Sequence, residues 1–297
     1  MTTRQQPVTV PLLGGLGNQL FQLAAGIAAG RRHSARIVFS DYWLRNPAPG
    51  ETRRSVALSG LLREGELVAD LVPRTVRVTD RITNRRVIER SASDDPLARV
   101  DSRTRAVAGY FQRLHYVKEA WPELRERLAS SEDPAHRVLT RVSTSDCGAL
   151  HYRLGDYLTS ATANTHHGAT SPEYFAELIR TAHSSHGIRK WHVVSDDPDT
   201  AVQLLTSVPL PAGTELSIPE PVDEWHDLAV LAAARMCAIS NSSFSWWAAF
   251  IGMSAGARHV IAPRPWFSRP DQEEPALFPS SWERRQRTLL NVPVKQA

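Results

Sequence analysis

At both ends of this chain, short apolar runs alternate with segments of helical period. That alternation restricts the fold more than any other feature. VTVPLL (residues 8–13) leads through the glycines of GGLG into NQLFQLAAGIAAGRR, and the apolar run resumes at Arg36–Phe39. Leu20, Leu23, Ala24 and Ile27 recur at steps of three and four, which gives a helix over Asn18–Arg32 an apolar face. Strand, helix and strand in so short a span open a parallel sheet, because strands that point the same way need a crossover to meet.

The second half has the same grammar. CGALHYR (147–153) and WHVVSDD (191–197) have the pattern of buried strands that end in polar residues. DEWHDLAVLAAAR (223–235) predicts a helix with Trp225, Leu228, Ala229 and Ala232 on one face. MCAIS (236–240), SFSWWAAFIGM (243–253) and HVIAP (259–263) complete a further strand, helix and strand. Residues 45–105 have prolines, many arginines and few long apolar runs, and only short elements are expected there. AVAGYFQRLHYV (106–117) returns to the core, KEAWPELRERLAS looks helical, and SSEDPAH (130–136) looks like a surface connection. The prediction is an α/β protein with two domains, 1–140 and 141–297.

Composition serves mainly to exclude. A formal net charge of +4, with Arg and Lys dispersed along 297 residues, argues against a nucleic-acid binder and suits a small anionic ligand. MTTRQQPVTV has no apolar core and no segment approaches 18 apolar residues, so a cytoplasmic protein without a membrane span is expected. Cys147 and Cys237 each fall in an expected buried strand and are read as structural thiols. No Cys/His spacing resembles a metal site, and His166 and His167 are expected to be solvated in a polar loop.

Ligands of open parallel sheets bind outside the carboxyl ends of the strands. Three strands here end in polar clusters: HYRLGDY (151–157), SDD (195–197) and SNSS (240–243). Arg153 is a permanent cation whose planar fork matches phosphate, and it needs an anion, either Asp156 or a ligand. Ser242 and Ser243 open a helix, as an anion site or as a plain N-cap. Asp196 and Asp197 either accept from a base or ribose or begin the next helix. Asn241 and the pair Trp246–Trp247 have structural readings too, a turn and packed aromatics. Gly15 and Gly17 fit the start of a dinucleotide-binding turn, but Leu20 stands where that pattern wants its third glycine. Asn18 and Gln19 are amides suited to hydroxyls as well as phosphates.

Six segments occur in one order: GGLGNQLFQLAAG, HYRLGDY, SPEYF, VSDDP, ISNSSFSWWAAFIG and VIAPRPWF. That series resembles the alpha-1,2-fucosyltransferases of glycosyltransferase family eleven, over roughly residues 10–268, with N-S-S-F-S-W-W the most specific block. The resemblance implies a GT-B fold of two Rossmann-like domains facing a cleft, the first on the acceptor side and the second holding GDP-fucose. Gly15, Gly17, Asn18 and Gln19 would then line the acceptor side of the cleft. Arg153, Asp196, Asp197, Asn241, Ser242, Ser243 and Phe244 would bind the donor. Arg153, Asp156 and His151 would carry the chemistry, with Asp156 as first choice for base and His151 orienting Arg153 or touching the nucleotide. The implied activity is inverting transfer of L-fucose to a sugar hydroxyl, as an alpha-1,2 linkage, with no cofactor and no metal. The implied partners are a nucleotide sugar and a carbohydrate or glycoside acceptor. The chain departs from the family at Leu154, where members commonly carry a second arginine. The alternatives are another GDP-linked sugar on a specialised acceptor, an inert sugar- or nucleotide-binding protein and, last, a nicotinamide oxidoreductase.

Overall fold

The computed structural model describes residues 6–47, 53–69, 86–140, 145–155, 167–256, 259–268, 274 and 276–290. The chain folds as two compact units. One is Met1–Asp133 with Pro275–Phe278, the other Pro134–Glu274 with Pro279–Ala297.

The first unit holds a parallel sheet of β1 (Val8–Pro11), β2 (Ile37–Ser40), β3 (Leu67–Val68), β4 (Arg86–Ile88) and β5 (Ala106–Ala108), in the order β3-β2-β1-β5-β4. Every residue of β1 is buried, as expected of a strand covered on both faces. Helix α1 (Leu16–His33) follows β1, and α2 (Tyr42–Arg45) follows β2. A 3-10 turn at Pro96–Arg99 precedes β5, and α3 (Leu114–Ser130) closes the unit. The single apolar face expected of α1 proves too narrow, because all of Leu16–Ala29 except Asn18 is buried. The alanines and glycines of this stretch have no bulk to hold neighbours away, so sheet and α3 both close on it.

In the second unit, β6 (Gly148–Tyr152), β7 (Lys190–Ser195), β8 (Glu215–Ser217), β9 (Met236–Ala238), β10 (His259–Arg264) and β11 (Glu283–Gln286) form a second parallel sheet, in the order β11-β10-β9-β6-β7-β8. Its helices are α4 (Pro134–Leu139), α5 (Pro172–His186), α6 (Pro198–Thr206), α7 (Glu224–Ala233) and α8 (Ser243–Ala255). Leu150, Tyr152, Phe175, Ile179, Trp191 and Val193 are among its fully buried core.

The predicted α/β class holds: two successive parallel sheets of Rossmann type, one in each unit. Three local expectations are corrected. SSEDPAH is no simple surface link: it runs into α4, where His136 is completely buried, its ring 4.2 Å from that of Trp225. Cys237 is buried in β9, but Cys147 lies just ahead of β6 and is half-buried. His167 is half-buried rather than solvated, its ring 5.8 Å from Phe267.

Candidate active site

In the second sheet the chain runs outward from β6 to β7 and β8, then returns to lay β9 on the other side of β6. The direction of winding therefore reverses between β6 and β9, and in such sheets that reversal opens a crevice at the carboxyl ends. The three polar clusters named from sequence sit on the three neighbouring strands there: His151–Arg153 ends β6, Ser240–Ser243 follows β9, and Ser195–Asp197 ends β7.

His151 is 4% exposed, and its Nδ1 lies 2.9 Å from the Ser240 hydroxyl, which ties β6 to the end of β9. Burial, with the Arg153 charge adding to it and Asp196 opposing, pushes the His151 pKa down to about 3. The imidazole is therefore neutral. Its ring stands 5.4 Å from that of Phe244, in the first turn of α8.

Arg153 points the other way from its neighbour: its side chain is 26% exposed, whereas Leu154 is fully buried in the core. Adjacent residues at a strand end face opposite sides. Where a second arginine was expected from the family pattern, this chain therefore spends the position on packing. Arg153 Nη1 lies 3.0 Å from Asp196 Oδ2. Asp196 Oδ1 also accepts from the Leu154 amide at 2.9 Å. One anion beside Arg153 is thus Asp196; Asp156, the partner anticipated from sequence, lies outside the described residues. Gly155 leaves room for the same contact, since a Cβ there would stand 2.4 Å from Asp196 Oδ2 and push the carboxylate aside.

Asp197 takes the structural option left open by the sequence: it is the N-cap of α6 and accepts from the Thr200 amide at 3.2 Å. Ser242 does the reverse. It occupies the N-cap position of α8 in extended conformation, yet its hydroxyl makes no capping bond. The first amides of α8, at Ser243 and Phe244, point out of the helix with the positive end of its dipole. Asn241 is buried and donates to the His167 carbonyl at 2.8 Å, which pins the chain beyond residues 156–166 to the end of β9. Arg287 grips the same place, donating to the carbonyls of His167 at 2.7 Å and Gly168 at 3.0 Å.

In the first unit, the loop after β1 departs from the sequence expectation in two ways. The glycine that conformation demands is Gly14, at φ +70°, rather than Gly15 or Gly17. Gly15 is the N-cap of α1, and a Cβ there would meet nothing within 4 Å. Gln19, expected to face a ligand, is completely buried. It donates to the carbonyls of Gly14 and Ser55 at 2.9 and 3.0 Å and accepts from the Ala57 amide at 2.8 Å. It is a brace, as is Gln22, which joins the Leu13 amide to the Gly109 carbonyl. Asn18 remains half-buried and accepts from Gln112 Nε2 at 3.1 Å.

Sequence reasoning did not find Ser240 as the partner of His151, or the braces Gln22 and Arg287. Gln19 and Gln22 carried a usable signal, two amides one turn apart inside an apolar helix, where buried polar groups need partners. Among the described residues no three His, Cys, Asp or Glu side chains come together in a set able to hold a metal ion, and no helix is long and apolar enough to cross a membrane.

The family model for glycosyl transferase family 11 matches residues 90–284, which include this whole crevice. The chain belongs to glycosyl transferase family 11. It is similar to an alpha-1,2-colitosyltransferase of Escherichia coli, 24% identical over 297 aligned residues that cover 93% of this chain and 98% of that one. It is also similar to the O-antigen biosynthesis glycosyltransferase WbnK of Escherichia coli, 27% identical over 136 residues, 45% of this chain and 43% of that protein. Among solved structures, NodZ alpha-1,6-fucosyltransferase with GDP matches this family 11 chain with a TM-score of 0.43 at 14% identity, covering 83% of this chain and 92% of that one.

Proposed function

We propose that this family 11 glycosyltransferase is an inverting, metal-independent enzyme that moves L-fucose, or a closely related deoxysugar, from a GDP donor to a sugar hydroxyl in an alpha-1,2 linkage. The observation that carries the reading is the partly exposed Arg153 fork at the winding reversal, one strand from the uncapped start of α8.

An acceptor oxygen attacks the anomeric carbon on the face opposite the diphosphate. The bond from that carbon to the phosphate oxygen breaks, and GDP leaves with the electron pair. The Arg153 fork, the Ser242 and Ser243 hydroxyls and the first amides of α8 would take up that charge. Such groups do the work a divalent cation does elsewhere, which is why no metal is invoked. The neutral His151 neither gives nor takes a proton at working pH: it holds the end of β6 against Ser240, and Phe244 packs beside it. Asn241 anchors the returning loop. The acceptor proton goes to a carboxylate, for which Asp156 is the proposed group. On the same reading, the acceptor side would fall to the first unit, at Gly15, Gly17 and Asn18.

A second reading concerns the donor sugar alone. Colitose is the 3-deoxy counterpart of fucose, and the similarity to a colitosyltransferase, with Leu154 in the place of a second arginine, favours testing it beside fucose. The deciding experiment incubates the protein with GDP-fucose, other GDP-sugars including GDP-colitose, UDP-sugars and NAD, with a panel of galactosides and excess EDTA. GDP release and a linkage-mapped alpha-1,2 product in chelator are expected. Activity abolished by EDTA and restored by magnesium or manganese would overturn the metal-free mechanism, and turnover of UDP-sugars alone would overturn the donor.

A further inference from the structure

The carboxylate of Asp196 has two oxygens, and each already meets the segment 153–155. Oδ2 lies 3.0 Å from Arg153 Nη1, and Oδ1 accepts from the Leu154 amide at 2.9 Å. A Cβ at residue 155 would stand 2.4 Å from Oδ2, so any larger residue there would displace the carboxylate. Three successive residues of one strand end are thus fitted to a single carboxylate delivered by the neighbouring strand. The end of β7 is itself tied down, since the Ser195 hydroxyl donates to the Tyr152 carbonyl at 2.6 Å and accepts from the Asp197 amide at 3.0 Å.

We propose that Asp196 is a positioning residue: it acts through Arg153, setting the plane of the guanidinium toward the diphosphate, and it does not read the base or ribose. This rests on the reading of the crevice as the GDP site. An ion pair with both side chains about a quarter exposed makes only a modest contribution to the fold. Its geometric effect is larger. A guanidinium has five donors in a rigid plane, so a carboxylate held on one edge decides where the remaining edges point. Both Asp196 oxygens are engaged by the 153–155 segment, which suits a carboxylate that orients Arg153.

The test is a double-mutant cycle between Asp196→Asn and Arg153→Ala, read by calorimetric titration of GDP and by saturation-transfer binding of guanosine. Asp196→Asn keeps an acceptor for the Leu154 amide and removes the charge that aligns the fork. It is expected to weaken GDP about tenfold, the size of one lost charge-assisted contact. Guanosine binding stays as in the wild type, and kcat falls more than the donor KM rises. In the Arg153→Ala background, Asp196→Asn has no further effect on GDP. Gly155→Ala, which keeps the carboxylate but displaces it, reproduces the Asp196→Asn loss and gives a second route if that variant folds poorly. Guanosine affinity falling in step with GDP would overturn the proposal. So would a GDP loss that persists without Arg153, or wild-type GDP affinity in a destabilised Asp196→Asn protein. Failure of the wild-type protein to bind GDP at all would instead sink the assignment of the crevice.

Discussion

Arg153 leaves a buried strand as a permanent cation, and the question at this scale is whether it serves the fold or the ligand. Its ion pair with Asp196 is only partly buried, so its share in holding the fold is modest. Arg153→Ala is therefore expected to leave the melting temperature near wild type while lowering kcat by about a hundredfold, the loss of a charge-assisted contact that strengthens as GDP departs. Arg153→Lys keeps the charge without the fork and should recover only part of it. Wild-type turnover in Arg153→Ala would defeat the phosphate role. Gln19 stands at the opposite pole. Gln19→Ala leaves two carbonyls and one amide without their partner in a closed interior, at a cost of about 2–4 kcal/mol in urea denaturation. A loss below about 0.5 kcal/mol would mean the loop repairs itself. The two residues were unequally legible. Arg153 could be picked out because a cation at the end of a buried strand needs an anion. That the anion is Asp196 could not, since Leu154 and Asp196 are 42 residues apart and only strand pairing brings them together. Gln19 was read by its chemistry as an amide, without the burial that turns an amide into a brace.

Among elements, those marked by an apolar run were read from the chain, the three-residue β9 included, and β3, β4 and β11 were not. β6, β7 and α8 have enough apolar residues in sequence to show their period, and with them came the three polar clusters at their ends. β3 has two residues and β4 three, too few for an alternating pattern to stand out from the residues around them. β11 is Glu-Arg-Arg-Gln, polar throughout, and pairs as an edge strand that side-chain pattern alone would leave in a loop. It matters because Arg287 directly follows it. This buried guanidinium donates to the carbonyls of Pro265, Trp266, His167 and Gly168, fastening the edge strand to the chain that returns toward the crevice. Arg287→Met fills similar space without donors, and is expected to lower stability by about 3 kcal/mol or more. Hydrogen exchange should quicken first around residues 167–168. Equal denaturation midpoints for mutant and wild type would show that water replaces the guanidinium.

For the whole molecule, acid is the informative variable. His151 is held neutral in the fold with its pKa pushed down to about 3, whereas in the unfolded chain it titrates near 6.5. Between those values the unfolded chain binds the extra proton, so stability is complete above about pH 6.5 and falls as the pH drops toward 3, by up to about 1.4 kcal/mol per pH unit. His151→Asn should flatten that limb in urea midpoints measured from pH 7 to pH 4, and an unchanged slope would place the acid sensitivity elsewhere. Two-unit organisation was legible from alternation at both ends of the chain, but its connectivity was not. Pro275–Phe278 belongs to the first unit, where Leu277 is completely buried and the Leu114 amide donates to the Ala276 carbonyl at 3.0 Å. That short return has a consequence for how the protein is made. A ribosome delivers five of the second unit's six strands before the last piece of the first, and β11 only after it, so the unit begun earliest stays unfinished until the other is nearly made. A nascent chain stalled before residue 275 should carry an open seam beside Leu114, and proteolysis of such stalled chains would find it.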